Sequence, residues 1–149
     1  MPARRFFLTG CASGIGRHLA EVLLAAGHEV FATDLDDAAM RTHAAADPRA
    51  WPVERAHLRR LDVTQAGAWQ LVFAEAERVM GRVDVLINIA GYLLPGFVGD
   101  FDPESVHRHL DVNTKGVIFG THTAARHMLA RGDGHIINIA SLAALAPIP

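Results

Sequence analysis

The sequence predicts an α/β fold: a doubly wound, parallel sheet of five strands in the order 3-2-1-4-5, with helices on both faces. Short apolar runs alternate with segments of helical periodicity along the 149 residues. The first apolar run leads into a glycine-rich turn that opens a helix, and the second ends at an acidic residue. Such alternation, with right-handed connections, produces a parallel sheet whose ligand lies at the carboxyl ends of the strands.

The first strand, Arg5 to Thr9, leads into this glycine-rich turn, and a helix from Gly14 to Ala26 follows. Gly10 gives the backbone a tight exit from the strand, because glycine tolerates a positive φ. Gly14 and Gly16 lack side chains, so a ligand and the first strand can approach the helix closely. The first N–H groups of the helix then form a site for a pyrophosphate. A plain strand–turn–helix corner is the alternative interpretation.

The second strand, Glu29 to Thr33, ends at Asp34, eighteen residues past Gly16. In dinucleotide-binding folds an acid at about this spacing accepts hydrogen bonds from the adenosine ribose hydroxyls. A carboxylate there also repels a 2′-phosphate. The sequence therefore predicts NAD, not NADP, as the cofactor.

The remaining segments continue the alternation. The run before Asn88 is apolar throughout, which is typical of a strand buried on both faces. Asp102-Pro103-Glu104 predicts a helix start, with a capping acid and a proline at the first helical position. The predicted segments are a helix from Asp36 to Ala46, a strand from His57 to Leu61, a helix capped by Thr64 and running to Met80, a strand from Val83 to Ile89, a loop from Gly91 to Phe101, a helix from Asp102, a helix from Val112 to Arg131, and a strand from His135 to Ala140.

Several motifs in this order resemble the short-chain dehydrogenases/reductases of the compact type. The resemblance implies a Rossmann-type sheet that corresponds to the N-terminal part of the family fold, truncated before the later strands. It also implies NAD-dependent hydride transfer to or from an alcohol or carbonyl substrate, and a homo-oligomeric full-length form. The motifs are Thr9-Gly10-x-x-x-Gly14-Ile15-Gly16, Asp62-Val63, Asn88-Ile89-Ala90-Gly91, Asn113 and Ser141, with Ile89 in place of the family's second asparagine.

The resemblance also implies roles for individual residues. Asn113 corresponds to an asparagine that holds a water in a proton relay, and Ser141 to a serine that orients the substrate carbonyl and stabilises its oxyanion. The cofactor-binding candidates are Gly10, Ser13, Gly14, Ile15, Gly16, Asp34, Leu35, Asp62, Val63, Asn88, Ala90 and Gly91.

Simpler interpretations of three of these residues stay open. Asp62 also fits an Asp turn before a capped helix, and Asn113 fits a helix N-cap. Ser141 also fits a helix cap or a loop serine. Asn88, inside an apolar strand, must find hydrogen-bond partners, and we expect it to tie the backbone of the sheet together.

The family's acid/base pair, Tyr-x-x-x-Lys, is expected further past Ser141 than the eight residues that follow it. The one tyrosine is Tyr92, which lies in a different loop, and no lysine follows Lys115. We therefore expect residues 1–149 to form an NAD(P)-binding domain that is incomplete at its C-terminal side and inactive by itself. A non-catalytic nucleotide-binding or interaction module is the alternative function.

Composition narrows the other possibilities. A net charge of −2 gives no electrostatic case for binding nucleic acid or an anionic membrane. No apolar run approaches the roughly 18 residues of a membrane helix. The single cysteine, Cys11, fits a reducing compartment such as the cytoplasm, and we interpret it as a small packing residue. The histidine pairs 107/109 and 122/127 share no helical face, so the sequence predicts no metal site.

Overall fold

The computed structural model describes residues 2–145. Five parallel strands form one sheet in the order β3-β2-β1-β4-β5. This confirms the predicted strand number, direction and order. The strands are β1 (Arg5–Thr9), β2 (Glu29–Asp34), β3 (Ala56–Arg60), β4 (Val85–Asn88) and β5 (His135–Asn138).

Helices cover both faces of the sheet, and the sheet separates two hydrophobic cores. Because successive strand residues point to opposite faces, Phe7 packs with Trp69 and Phe73 on one side, while Phe6 and Leu8 belong to the core on the other. None of the helices within residues 2–145 has the length and apolarity needed to cross a membrane. The helices are α1 (Gly14–Ala25), α2 (Asp37–Ala46), α3 (Ala66–Met80), α4 (Pro103–Leu110) and α5 (Val117–Arg131).

The predicted helix starts have different outcomes. α4 begins as predicted: the Asp102 side chain accepts hydrogen bonds from the Ser105 amide (2.8 Å) and hydroxyl (2.9 Å). These bonds hold the pKa of Asp102 below its usual value. The predicted Thr64 cap of α3 is wrong. Thr64 turns back to Asp62, to which its amide (3.0 Å) and hydroxyl (2.7 Å) both donate, and α3 begins at Ala66.

The predicted helix start at Val112 is also wrong. α4 continues into α5 through a π-helical segment, Asp111–Gly116, so that Pro103 to Arg131 is one helical stretch. Glycine permits this close packing, since a Cβ added at Gly116 would lie 2.9 Å from Val63 Cγ2. π-helical segments of this kind are frequent at functional sites.

Candidate functional site

A cavity of about 780 Å³ follows the carboxyl ends of the strands. This is the sheet edge at which the sequence predicts the cofactor. Eleven of the twelve candidate cofactor residues line the cavity, and Asn88 is the exception. The lining residues are Gly10, Ala12–Gly16, Asp34–Asp36, Ala39, Leu61–Val63, Ile89–Tyr92, Arg108, Val112 and Ile139.

The glycine-rich turn forms one wall of the cavity. Gly10 has a φ of +74°, as predicted, and a Cβ added there would lie 2.9 Å from the Ala90 backbone. A Cβ at Gly16 would overlap the Gly10 carbonyl, 2.7 Å from its carbon. Gly14 has a φ of +53° and faces open space. Ser13 is the N-cap of α1 without a side-chain capping bond, so this helix start can receive an anion.

Thr9 joins the turn after β1 to the turn after β4. Its hydroxyl oxygen accepts hydrogen bonds from the Ile89 and Ala90 amides, both at 3.0 Å, and the residue is 1% exposed. These bonds align the two backbone segments that line the centre of the cavity. Sequence reasoning assigned Thr9 no separate role, although the residue opens the glycine motif.

The acidic residue at the end of β2 also holds the glycine turn. Asp34 Oδ2 accepts a hydrogen bond from the Ala12 amide at 2.8 Å, and Oδ1 accepts one from the Asp36 amide at 3.0 Å. Asp36 caps α2 by accepting from the Ala39 amide at 3.0 Å, and it lines the cavity as well. Two carboxylates therefore lie at this end, where sequence reasoning identified only Asp34.

Asp62 and Val63 line the cavity at its β3 side. Both hydrogen bonds to Asp62 reach Oδ1 and come from Thr64, which is the geometry of the simpler Asp turn. The Val63 carbonyl accepts from the Trp69 indole at 3.0 Å. The two residues thus anchor the start of α3 while they face the cavity.

The expected backbone contacts of Asn88 are wrong. Asn88 is 3% exposed, and its side-chain amide donates to Asn138 Oδ1 at 2.8 Å and to Thr121 Oγ1 at 3.4 Å. The residue therefore links β4 to the side chains of β5 and α5. Its position below the cavity lining explains why it differs from the other cofactor candidates.

Asn113 lies inside the π-helical segment, so the N-cap interpretation is wrong. Its Oδ1 accepts a hydrogen bond from the Tyr92 amide, and its Nδ2 donates to the Tyr92 carbonyl, both at 2.8 Å. His109 adds an edge-on ring contact with Tyr92, and its Nε2 accepts from the Leu94 amide at 3.3 Å. These contacts fix the start of the loop that follows β4.

Ser141 lies just beyond β5 and does not line the cavity. The last residue after β5 that lines the cavity is Ile139. Its hydroxyl accepts a hydrogen bond from the Ala143 amide at 3.1 Å and caps the 3₁₀ turn Leu142–Ala144. This geometry corresponds to the interpretation of Ser141 as a helix cap.

Cys11 is fully buried between the glycine turn and the sheet, and its amide donates to the Thr33 carbonyl at 3.1 Å. Burial raises the pKa of its thiol to about 12, so the thiol is protonated and unreactive at neutral pH. The structure thus supports a packing role for Cys11. Within residues 2–145, no group of three His, Cys, Asp or Glu side chains is placed to hold a metal ion.

Comparisons with known proteins agree with this geometry. A family model described as short chain dehydrogenase matches residues 4–149. The 3-beta-hydroxysteroid dehydrogenase of Comamonas testosteroni is 37% identical over 141 residues, which cover 95% of this chain and 53% of that protein. The 2,3-dihydro-2,3-dihydroxybenzoate dehydrogenase of Bacillus subtilis is 30% identical over 143 residues, with the same two coverages.

Solved structures give the same picture. A short-chain dehydrogenase from Streptomyces avermitilis superposes with a TM-score of 0.84 at 31% identity, covering 97% of this chain and 52% of that one. ElxO with NADP bound superposes with a TM-score of 0.89 at 25% identity, covering 99% and 59%. The chain spans about half the length of the relatives it matches.

Proposed function

The chain belongs to the short-chain dehydrogenase family. On that basis we propose that it forms the cofactor-binding part of an NAD-dependent oxidoreductase, which acts on a secondary alcohol or the corresponding carbonyl. Residues 1–149 are the proposed NAD(P)-binding domain. The observation that carries the proposal is the cavity, which brings together the glycine turn, Asp34 and the Ala90–Gly91 turn at one sheet edge.

The cavity residues fit a dinucleotide. The open side of Gly14 and the uncapped start of α1 offer space and N–H groups for the pyrophosphate. The Asp34 carboxylate would accept from the adenosine ribose hydroxyls, beside Leu35, with Asp62 and Val63 next to the adenine. When bound, the nicotinamide group supplies the hydride acceptor or donor.

Ser141 and Asn113 are the proposed catalytic residues. The Ser141 hydroxyl would orient the substrate oxygen and stabilise its developing charge. The Asn113 side chain is engaged by Tyr92, so its main-chain carbonyl is the group proposed to hold the water of a proton relay. Asn88 would support the site from below through Asn138.

We expect NAD to bind at least about tenfold more tightly than NADP, because a 2′-phosphate would add roughly two negative charges beside Asp34 and Asp36. Asp34→Asn removes the charge and keeps one oxygen for the Ala12 amide, at the cost of the acceptor for the Asp36 amide, so it should narrow this preference. Titration calorimetry with both cofactors measures the two affinities.

Asp37→Asn is the matched control for this prediction. It removes an equal charge from the first turn of α2, outside the cavity lining, and should leave the preference nearly unchanged. Equal affinities of the unmutated protein for NAD and NADP would contradict the assignment of Asp34.

We further propose that residues 1–149 alone do not turn over an alcohol or ketone. Tyr92 stacks against Arg108 at the cavity, and Lys115 pairs with Asp111 at 2.6 Å, so the two do not form a Tyr–Lys pair. Without a positioned acid/base group the reaction loses about 10²–10⁴-fold in rate.

NADH oxidation with a panel of ketones, followed at 340 nm, measures this activity. Background rates together with tight NADH binding are the expected result, and they would also fit a non-catalytic nucleotide-binding module. Steady turnover by the purified chain would contradict the proposal and direct attention to Tyr92.

The single cysteine supports the proposed cytoplasmic location. Apolar side chains on the outer surface of the helical stretch α4 to α5 support the proposed homo-oligomer of the full-length form. These exposed side chains are Val106, Leu110, Ile118 and Leu129.

A further inference from the structure

One cationic side chain lies at the cavity without an assigned role. Arg108, on α4, lines the cavity with Tyr92, Val112 and Ile139. These residues come from the β4 and β5 side of the sheet, whereas Asp34 comes from the β2 side. If the adenosine half of the dinucleotide binds at the acidic end of the cavity, as proposed, Arg108 lies towards the nicotinamide end, where the substrate would bind.

Arg108 is held in place by an aromatic ring. Its guanidinium carbon lies 4.4 Å from the centre of the Tyr92 ring, well within the range of a cation–π contact. Tyr92 is in turn fixed by two backbone hydrogen bonds to Asn113 and by the His109 ring. The guanidinium is therefore pre-positioned, and stacking on its flat face leaves the N–H groups along its edge for a second partner.

No carboxylate within residues 2–145 forms an ion pair with Arg108. Asp111, on the next turn, pairs with Lys115 instead. An arginine that lies over an aromatic ring and lines a cavity is a suitable partner for a planar anion, because its paired N–H groups match two carboxylate oxygens.

The charge of the cavity indicates which anion fits. Among the residues that the structure describes, its lining holds three carboxylates, Asp34, Asp36 and Asp62, all on the β2 and β3 side, and Arg108 is its one lysine or arginine. A single positive charge in acidic surroundings matches one negative charge better than the two of a phosphate monoester.

We propose that Arg108, on its Tyr92 platform, is the specificity-determining residue for a substrate that carries one carboxylate beside its alcohol or carbonyl group. This inference rests on the proposed function, since the substrate would enter next to a bound cofactor. The carboxylate would accept two hydrogen bonds from the guanidinium edge and so fix the orientation of the reacting carbon.

The test is titration calorimetry on the NADH-loaded chain with matched ketones. The probes are 2-oxopentanoate and 4-oxopentanoate, their uncharged amides, and dihydroxyacetone phosphate. We expect at least one oxo acid to bind about 10- to 100-fold more tightly than its amide and more tightly than the phosphate. Arg108→Gln should remove this preference, and Arg108→Lys should retain only part of it.

Arg126→Gln is the matched control, because Arg126 is an exposed arginine of α5 outside this cavity. It should leave the oxo-acid preference unchanged. NADH affinity, measured first in every variant, separates the two hypotheses. If the unmutated chain does not bind NADH, the proposed function fails and this inference fails with it.

Other outcomes overturn this inference alone. If NADH binds but oxo acids and amides bind equally, Arg108 does not select an anion. Preference for the phosphate contradicts the single-carboxylate assignment. A loss of NADH affinity in Arg108→Gln would assign the residue to the cofactor instead.

Discussion

Gly16→Ala is expected to lower NADH affinity by at least about 100-fold, the equivalent of nearly 3 kcal/mol of binding free energy. The added Cβ would overlap the Gly10 carbonyl oxygen and lie 2.7 Å from its carbon and 3.2 Å from the Cys11 amide nitrogen. All three are backbone atoms, so no side-chain rotation can relieve the overlap. The turn must move away from α1, and the proposed pyrophosphate site moves with it.

Gly67→Ala is the control for this substitution. Gly67 lies in the first turn of α3, has no positive φ and has open space where the Cβ would be placed. Alanine should therefore leave NADH affinity unchanged and raise stability by up to about 1 kcal/mol. Circular dichroism confirms folding of both variants, and fluorescence titration measures NADH binding. Near-normal binding by folded Gly16→Ala would contradict the placement of the cofactor on this turn.

Thr9→Val is expected to lower the free energy of unfolding by roughly 2–6 kcal/mol, since each of two amides that lose their acceptor costs about 1–3 kcal/mol. Valine has nearly the shape of threonine but cannot accept the hydrogen bonds from the Ile89 and Ala90 amides. The variant should also bind NADH more weakly, because the turn after β4 lines the cavity.

Thr9→Ser keeps the hydroxyl and tests whether hydrogen bonding or packing is responsible. We expect the serine variant to lose less than the valine variant in urea denaturation followed by circular dichroism. If valine proves as stable as threonine, the two amides do not depend on this acceptor.

The strand order could be predicted because local signals and tertiary structure agree along most of the chain. Apolar runs, glycine stops and the Asp102-Pro103 start each favour one conformation, and the parallel sheet satisfies all of them. The position of the cavity follows from the same reasoning, since the turns after parallel strands meet at one edge.

The rest depends on contacts between residues distant in sequence. Nothing near Val112 in the sequence distinguishes a helix start from a π-helical continuation, which close packing of Gly116 on Val63 accommodates. Thr64 had a plausible capping position, but the Asp62 carboxylate competes for its hydroxyl and its amide. Asn88 finds its partner fifty residues away, on β5.

The burial of Cys11 makes its thiol a probe of local opening in the folded chain. A thiol that is fully enclosed and protonated at neutral pH can react with an alkylating reagent only while the turn between β1 and α1 is open. Because the chain has one cysteine, the labelling rate measures how often the backbone around Cys11 opens. A ligand that binds only the closed turn must slow the reaction in proportion to its occupancy. The dependence of the labelling rate on urea concentration can therefore separate local opening of this turn, which exposes little surface, from unfolding of the whole chain.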